Sequence, residues 1–365
     1  MAKFGLKNIF VQIIVGANIT TVICMFLTGY SYLVNPHSFR PAATMGLFFP
    51  LFLLLNILFL VFWLFFYPRK AYIPFLAMIL CYFPVRTYIG INAGGSIPVG
   101  AMKVMSYNVL GFHGQKNNAL DRDSNAIAQY LYDEDCDIVC LQESNTQYLS
   151  DRCRDMLNKR YPYHHEEMYN GNGNAIYTKY EILSFERIEY ESNSNFSMAY
   201  RLKINDAEVL VINNHLEKSN ITPDERSSFG NMVKGEMPKD SVGEKSLMLL
   251  GKLTDSTLRR TRQAQAVAKY INQHNAMKII LMGDFNDNPI SYTHYIIGKD
   301  LIDCFRDSGR GLGWSYCHNA MRVRIDNIMC SDHYTPYNCT VDGKVPFSDH
   351  YPIKCWLQTD TLQVD

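Results

Sequence analysis

The first 120 residues of this 365-residue chain contain no aspartate and no glutamate. The chain as a whole has no net charge, with 35 Lys+Arg against 35 Asp+Glu. No charged residue of either sign falls between Lys7 and Arg40, or between Arg40 and Arg69. No cysteine spacing has the form of a zinc site. Each shortage excludes something. A chain without net positive charge is not a nucleic-acid-coating protein. With 47% hydrophobic and 19% charged residues it is neither disordered nor fibrous. An apolar head free of carboxylates argues against a transporter or receptor, whose membrane segments hold functional charges.

The zero net charge is an average over unlike parts. Residues 1–101 hold six basic residues (Lys3, Lys7, Arg40, Arg69, Lys70, Arg86) and no acid. Residues 102–365 hold the remaining 29 basic residues against all 35 acids, a net of −6. Two runs in the head, about 9–30 and 44–67, are long and apolar enough to cross a bilayer core of about 30 Å as helices. A third, 71–89, is interrupted by Pro74, Pro84 and Arg86, and spans only if Arg86 snorkels to the interface. Three spans over 1–90 are expected, two being the alternative. A cleaved signal peptide is disfavoured, because the first run is too long and no small-x-small site follows. Lys3, Lys7, Arg69 and Lys70 fall on one side of a three-span arrangement. The positive-inside rule then makes the protein multi-pass, with its body extracytoplasmic. Eight of the ten cysteines lie in that body, where disulfides and buried free thiols both remain open.

After a Gly-rich linker at 91–101, short apolar strands and amphipathic helices alternate through 102–365, and several strand pairs follow each other directly. That pattern points to two packed sheets with helices outside. A helix is expected over Arg259–Gln273, with Ala264, Val267, Ala268 and Ile271 on one face. The stretch 217–258 fits no element of the scheme. It starts polar, ends in the apolar patch Leu247–Leu253, and has the length of a functional insertion.

The polar residues collect where strands end. Asn108 closes Met102–Asn108, and Glu143 follows the apolar Ile138–Leu141. His215 ends one strand and Asp284 another, with Asn286 just beyond. Asp326 sits between Ile325 and Ile328, and Asp349 and His350 precede the last strand. A lone Asp or Asn at a strand end is ordinarily a turn former or a cap, and Asp326 could be the partner of Arg322 or Arg324. Six such clusters in one domain point instead to a common rim, since sheets deliver their strand ends together.

These motifs are SYN (106–108), LQE (141–143), NHL (214–216), GDFN (283–286), RID (324–326) and SDHYP (348–352). In this order they resemble the endonuclease/exonuclease/phosphatase, or DNase-I-like, superfamily over about 103–358. Asn214 stands where that family often has Thr, and 217–258 has no obvious counterpart. The resemblance implies a four-layered α/β sandwich and metal-dependent phosphoester hydrolysis with Mg²⁺, Mn²⁺ being the alternative ion. It implies Glu143 as the principal metal ligand, with Asn108 and Asp349 completing the site. It implies Asp284 as the base on the attacking water, steered by Asn286, and His215 and His350 as phosphoryl contacts, His350 being held by Asp326. A dead binding module would be expected to lack one of Glu143, Asp284 or His350, and all are present.

The substrate stays open among three classes. A nuclease-like phosphodiesterase leads, with Arg259, Arg260 and Arg262 as the basic cluster that would meet nucleic acid. A phospholipid- or sphingomyelin-type phosphodiesterase would use the membrane head, and an inositol- or sugar-phosphate phosphatase is the third. Asn174 is a candidate phosphate contact or a turn residue. Trp314 either lines the site or packs in the core.

Overall fold

The computed structural model describes residues 5–115, 118–219, 221–233, 236, 239–318 and 321–359. The head is helical: α1 (Leu6–Gly29), α2 (Phe49–Phe66), α3 (Tyr72–Leu80) and α4 (Tyr82–Tyr88). Among the described residues two helical stretches, Asn8–Leu33 and Ala42–Phe66, are long and apolar enough to cross a membrane. A third candidate is the pair Pro68–Leu80 and Tyr82–Tyr88, bent by 67°. The bend has a local cause. Pro84 has no N–H to donate to the Leu80 carbonyl one turn back. The Tyr30 hydroxyl donates to that carbonyl instead, at 2.6 Å.

Outward side chains such as Phe10, Leu54 and Phe65 are exposed, a cost in water that a lipid surround removes. The helices hold one another by a buried polar contact: Trp63 donates to Asn18 Oδ1 at 2.9 Å, and Asn18 Nδ2 lies 3.4 Å from Asn56 Oδ1. Val11, Trp63 and Ala71 pack at one end of the bundle. Met25, Phe49, Leu53, Ala77 and Cys81 pack at the other.

The body is a four-layered α/β sandwich, two sheets with helices on their outer faces. Its strands are β1 (Met102–Asn108), β2 (Ile138–Gln142), β3 (Tyr163–Tyr169), β4 (Asn172–Thr178), β5 (Glu181–Ile188) and β6 (Ser197–Ile204). They continue as β7 (Ala207–His215), β8 (Lys278–Asp284), β9 (Ile302–Asp303), β10 (Asp326–Cys330), β11 (Tyr334–Val341) and β12 (Ile353–Thr359). One sheet runs β11-β12-β1-β2-β4-β3, the other β9-β10-β8-β7-β6-β5. The central pairs β1–β2 and β7–β8 are parallel and their neighbours antiparallel.

Two-residue periodicity sorts the side chains. Val104, Ile138, Val211, Ile280, Ile328 and Ile353 meet between the sheets. Met105, Val139 and Leu141 face outward onto α5 (Ala126–Glu134) and α6 (Asp151–Arg160). Leu210, Ile212 and Leu281 face the opposite helical layer. Each helix start is fixed by a short polar side chain. Asn125 accepts from the Ile127 and Ala128 amides, and Ser150 from the Cys153 amide.

The insertion is helical. α7 (Pro223–Val233) is followed by α8 (Lys239–Gln273), 35 residues long, so the helix expected at Arg259 begins twenty residues earlier. Nothing in 244–273 breaks a helix except Gly251, which costs it only about 1 kcal/mol. The ten cysteines are free thiols.

Head and body are docked. Ile290, in the loop after β8, is buried among the head residues Met25, Phe49 and Leu53. Tyr32 meets Tyr295 of α9 (Tyr292–Ile297) at 5.3 Å between ring centroids. Arg40 pairs with Asp255 at 2.8 Å, and the His37 ring contacts the Leu258 carbonyl at 3.0 Å. Arg86, expected to snorkel, donates to the Arg306 carbonyl at 2.9 Å. At Gly46 a Cβ would sit 1.9 Å from the Ile290 carbonyl oxygen. Gly46→Ala should therefore destabilise the full chain by about 1–3 kcal/mol through overpacking. Gly16→Ala, where a Cβ meets nothing within 4 Å, should not. Thermal unfolding in detergent checks both, and equal melting of the two variants would contradict the docked interface.

Candidate active site

The same alternation that builds the core also builds the rim. In β1 the inner face reads Met102, Val104, Ser106, Asn108, and in β7 it reads Val209, Val211, Asn213, His215. β8 ends its inner row in Asp284, and β10 begins its row with Asp326. Asp284 and Asp326 are direct cross-strand partners, as are His215 and Asp284. Below the rim a buried polar floor joins the sheets. Gln142 donates to Asn213 Oδ1 at 2.7 Å, and Asn213 donates to the Leu141 and Ala175 carbonyls at 2.9 and 3.0 Å.

Glu143 and Asn286 turn out of their strands in the left-handed region, at φ 51° each. Gly283 has φ 143°, and a Cβ there would lie 2.0 Å from the Asn214 carbonyl oxygen, so only glycine allows the β7–β8 approach.

The Asn108 amide donates to Glu143 Oε1 at 2.9 Å and to Asp284 Oδ2 at 3.1 Å. His350 Nδ1 meets Asp326 Oδ2 at 2.8 Å, and its Nε2 lies 3.7 Å from Asp284 Oδ2. The Asp326 amide is held by Ser315 Oγ at 3.0 Å. Neither arginine beside Asp326 pairs with it: Arg324 donates to the Thr87 and Leu312 carbonyls, and Arg322 lies over Trp314.

The Asn172 amide faces His215 Nδ1 at 3.4 Å, which leaves Nε2 as the protonated nitrogen. That Nε2 is buried and makes no hydrogen bond. It lies 4.0 Å from Glu143 Oε1 and 3.9 Å from Asp284 Oδ2, a gap that suits a third oxygen.

The electrostatics separate the groups. Burial opposes charge on Glu143, but Lys218 at 2.8 Å and the neighbouring His215 outweigh it and hold the carboxyl at about 2. Burial raises Asp284 to about 7; His350 draws it down and Asp326 pushes it up. Burial would discharge His350, yet Asp326 and Asp284 raise it to about 10. Burial lowers His215 to about 3, so its imidazole is neutral. The rim thus carries a permanent carboxylate, a carboxyl poised near neutrality, an imidazolium and a neutral imidazole.

Asp284, Asp326 and His350 each bring a ligand atom within 4.8 Å of the others, so they could hold a metal. Their direct Asp326–His350 bond already uses one ring nitrogen, and a charged imidazolium repels a cation. The Glu143 side of the rim suits a hard cation better: its carboxylate is ionised, and the Lys218 ammonium already rests on Oε1.

Other expected residues lie as follows. Asn286 holds Asp284 Oδ1 through its backbone amide at 2.8 Å, and its side chain turns to the Leu216 carbonyl. Asp349 is half-buried beside His350. Asn174 is buried, donating to the Phe196 carbonyl at 2.7 Å, with its Oδ1 unpartnered. Arg259 faces Glu217 at 3.9 Å and Arg262 is exposed. Trp314 lines a separate cleft.

Residues that sequence reasoning did not single out are Lys218, Asn172 and Ser315. Tyr316, like Trp314 a candidate from the sequence either to line the site or to pack in the core, sets its ring against His350 at 5.1 Å. Only Lys218 carried a signal: it stands three residues after His215, where β7 has ended.

A model described as the Endonuclease/Exonuclease/phosphatase family matches residues 105–350. A model described as Domain of unknown function (DUF8431) matches residues 11–88. No curated protein matches the chain. Among solved structures, D. rerio TDP2 humanized by 14 mutations is 19% identical, covering 71% of this chain and 99% of its own, with a TM-score of 0.50. The endonuclease/exonuclease/phosphatase from Bacteroides vulgatus is 14% identical, covering 71% and 99%, also at 0.50. The one from Beutenbergia cavernae DSM 12333 is 14% identical, covering 71% of each chain, at 0.50. At these identities the likeness is one of fold.

Proposed function

The chain belongs to the endonuclease/exonuclease/phosphatase family and is a metal-dependent phosphoric ester hydrolase, and from that premise we propose a Mg²⁺-dependent phosphodiesterase acting on lipid-borne phosphoesters. The observation that carries this substrate class is the seating of the rim in the membrane head. Ile290, buried among head residues, follows Asp284 by six positions, a reach of at most about 20 Å. Arg324, two residues before Asp326, bonds the Thr87 carbonyl at the end of the head. A lipid phosphate stands only about 5–8 Å outside the hydrocarbon core.

The nuclease reading lacks its groove. Arg260 is buried, 3.2 Å from Asp287 and 3.1 Å from the Glu217 carbonyl, and Arg259 sits beside Glu217. Of the three arginines Arg262 is exposed and Arg259 is half-exposed beside the Glu217 carboxylate, so the −6 body offers no continuous basic stripe there.

In this reading Glu143, Asn108 and Asp349 hold the divalent cation, which when bound neutralises charge on the phosphoryl oxygens. Asp284, ionised above about pH 7, accepts a proton from the attacking water. His350, as imidazolium, and His215, through Nε2–H, donate to non-bridging oxygens as negative charge builds there. Asp326 fixes the ring and charge of His350, and Asn286 fixes Asp284. The bundle ends support the orientation as well. Head and body meet at the Met25–Cys81 end, while the 67–71 turn bearing Arg69 and Lys70 lies at the other. With the positive end inside, the protein is multi-pass and the catalytic body extracytoplasmic.

The test is hydrolysis by the purified full chain with Mg²⁺ of three substrate sets: phospholipid in mixed micelles, single- and double-stranded DNA, and RNA. A kcat/KM for lipid at least about 100-fold above that for nucleic acid is expected. The reverse order would overturn the lipid assignment.

A further inference from the structure

The chain that leaves β7 at His215 returns to the rim twice. Lys218 rests on Glu143. Further on, in the first half of α7, Arg226 Nη1 donates to the Tyr316 hydroxyl at 2.7 Å. Tyr316 in turn sets its ring against His350 at 5.1 Å. Tyr316 and His350 are direct partners in an antiparallel bridge, so their side chains leave the same face of that wall. Arg226 therefore stands on the catalytic side, one ring away from His350. The field at the Tyr316 hydroxyl agrees. Burial lifts the phenol to about 12, Arg226 draws it down, and Asp349, Asp284 and Glu143 push it up. The guanidinium and the carboxylates of the rim thus act on one hydroxyl.

The start of α7 is built to hold this arginine. Thr222 and Glu225 form a reciprocal cap: the Thr222 amide donates to the Glu225 carboxylate at 2.8 Å, and the Glu225 amide to Thr222 Oγ1 at 3.3 Å. Glu225 also takes the Lys252 ammonium of α8 at 2.5 Å, which ties α7 to the long helix. The acid beside Arg226 is therefore spent elsewhere. The other cations at the rim have carboxylate partners, Lys218 on Glu143 and His350 on Asp326. Among the described residues Arg226 has none. Its partner is a neutral phenol, which takes one of five N–H donors and cancels no charge. The guanidinium is half-buried and lies 5.9 Å from the Tyr316 ring centre, so it is aimed without being neutralised.

We propose that Arg226 is a substrate-binding residue, carried to the rim by the insertion to hold a non-bridging oxygen of the phosphoester. A guanidinium fork matches phosphate oxygens and keeps its charge at any working pH. Tyr316 positions it. The proposal rests on the assignment of the chain as a phosphoric ester hydrolase and not on the lipid reading.

The test uses the full chain in detergent with Mg²⁺ and bis(4-nitrophenyl) phosphate, a soluble diester that needs no lipid surface. Loss of a charge-assisted contact made alike in ground and transition states falls on KM. Arg226→Ala should raise KM by at least about 10-fold and leave kcat within about 3-fold. Arg226→Lys, which keeps the charge, should recover most of that loss. Tyr316→Phe keeps the ring on His350 and removes only the positioning hydroxyl, so it should raise KM by about 3-fold or less. A residue that merely pinned α7 to the wall would give equal effects in Arg226→Ala and Tyr316→Phe. That equality, or a KM in Arg226→Ala within about 3-fold of wild type, overturns the proposal.

Should wild type not turn over this diester, binding of inorganic phosphate to the full chain with Mg²⁺ is measured by calorimetry. A Kd weakened at least about 10-fold in Arg226→Ala, and less in Tyr316→Phe, supports the assignment. An unchanged Kd, or no binding by wild type, overturns it. Failure of the chain on lipid substrates leaves both measurements standing, so the two readings fail separately.

Discussion

Asp284→Asn should lower kcat by about 10³–10⁴ while leaving the fold intact, because the proposed general base is replaced by an amide of the same shape that cannot accept the proton. The pH profile sharpens this. Burial lifts Asp284 to about 7, and Asp326 and Asp284 lift His350 to about 10. The working pair, carboxylate and imidazolium, coexists between those two values. Activity of the wild type should rise towards pH 7 and fall towards pH 10, with a bound cation drawing the acid limb lower. The residual activity of the variant should lack the acid limb.

Stability should move the other way. A carboxyl whose folded pKa lies above its unfolded value loses stability as pH rises from the unfolded value through the folded one. For Asp284 that window runs from the ordinary 3.8 to about 7. At pH 8 the wild type has borne the whole loss and the asparagine variant none of it. The variant should therefore melt no lower than wild type at pH 8. Retained activity in Asp284→Asn, or a collapse of its melting point, would refute the assignment of this residue.

Glu143→Gln should raise the Mg²⁺ concentration for half-maximal activity by at least about 100-fold, and EDTA should abolish wild-type activity until Mg²⁺ is restored. The carboxylate is held ionised at about 2, chiefly against burial by Lys218 and His215. Lys218 lies 2.8 Å from Glu143 Oε1, so its ammonium competes for the place of a cation. Lys218→Ala should shift the Mg²⁺ requirement down rather than up. Activity titrated with Mg²⁺ for both variants decides it. An unchanged requirement in Glu143→Gln would move the metal elsewhere on the rim.

Much of the rim was legible because strands alternate. Once Val209–Ile212 and Ile279–Met282 are read as strands with one inward face, His215 and Asp284 follow on that face, and the parallel register makes them direct neighbours. Asp326 was legible as a misfit, a carboxylate framed by isoleucines, and His350 explains it.

What stayed hidden depends on chain segments far apart in sequence. Arg259, Arg260 and Arg262 look alike as a basic run, but on α8 they point to different surroundings, and Arg260 is spent on Asp287. Lys218 belongs to a stretch without periodicity. Ile290 reads as an ordinary loop residue until the head closes over it, and only Gly46 permits that approach. Trp314 was visible as a rim or core residue, and it lines the neighbouring cleft instead.

The central claim is that a hydrolytic rim, docked beside a membrane head, takes its phosphoester from lipid. The most direct measurement is release of water-soluble headgroup from phospholipid by the full chain in mixed micelles with Mg²⁺, beside Asp284→Asn and an EDTA-treated sample. The predicted result is headgroup release by wild type alone. Release that persists in Asp284→Asn or in EDTA would contradict the account, as would none from a wild-type sample that cleaves nucleic acid.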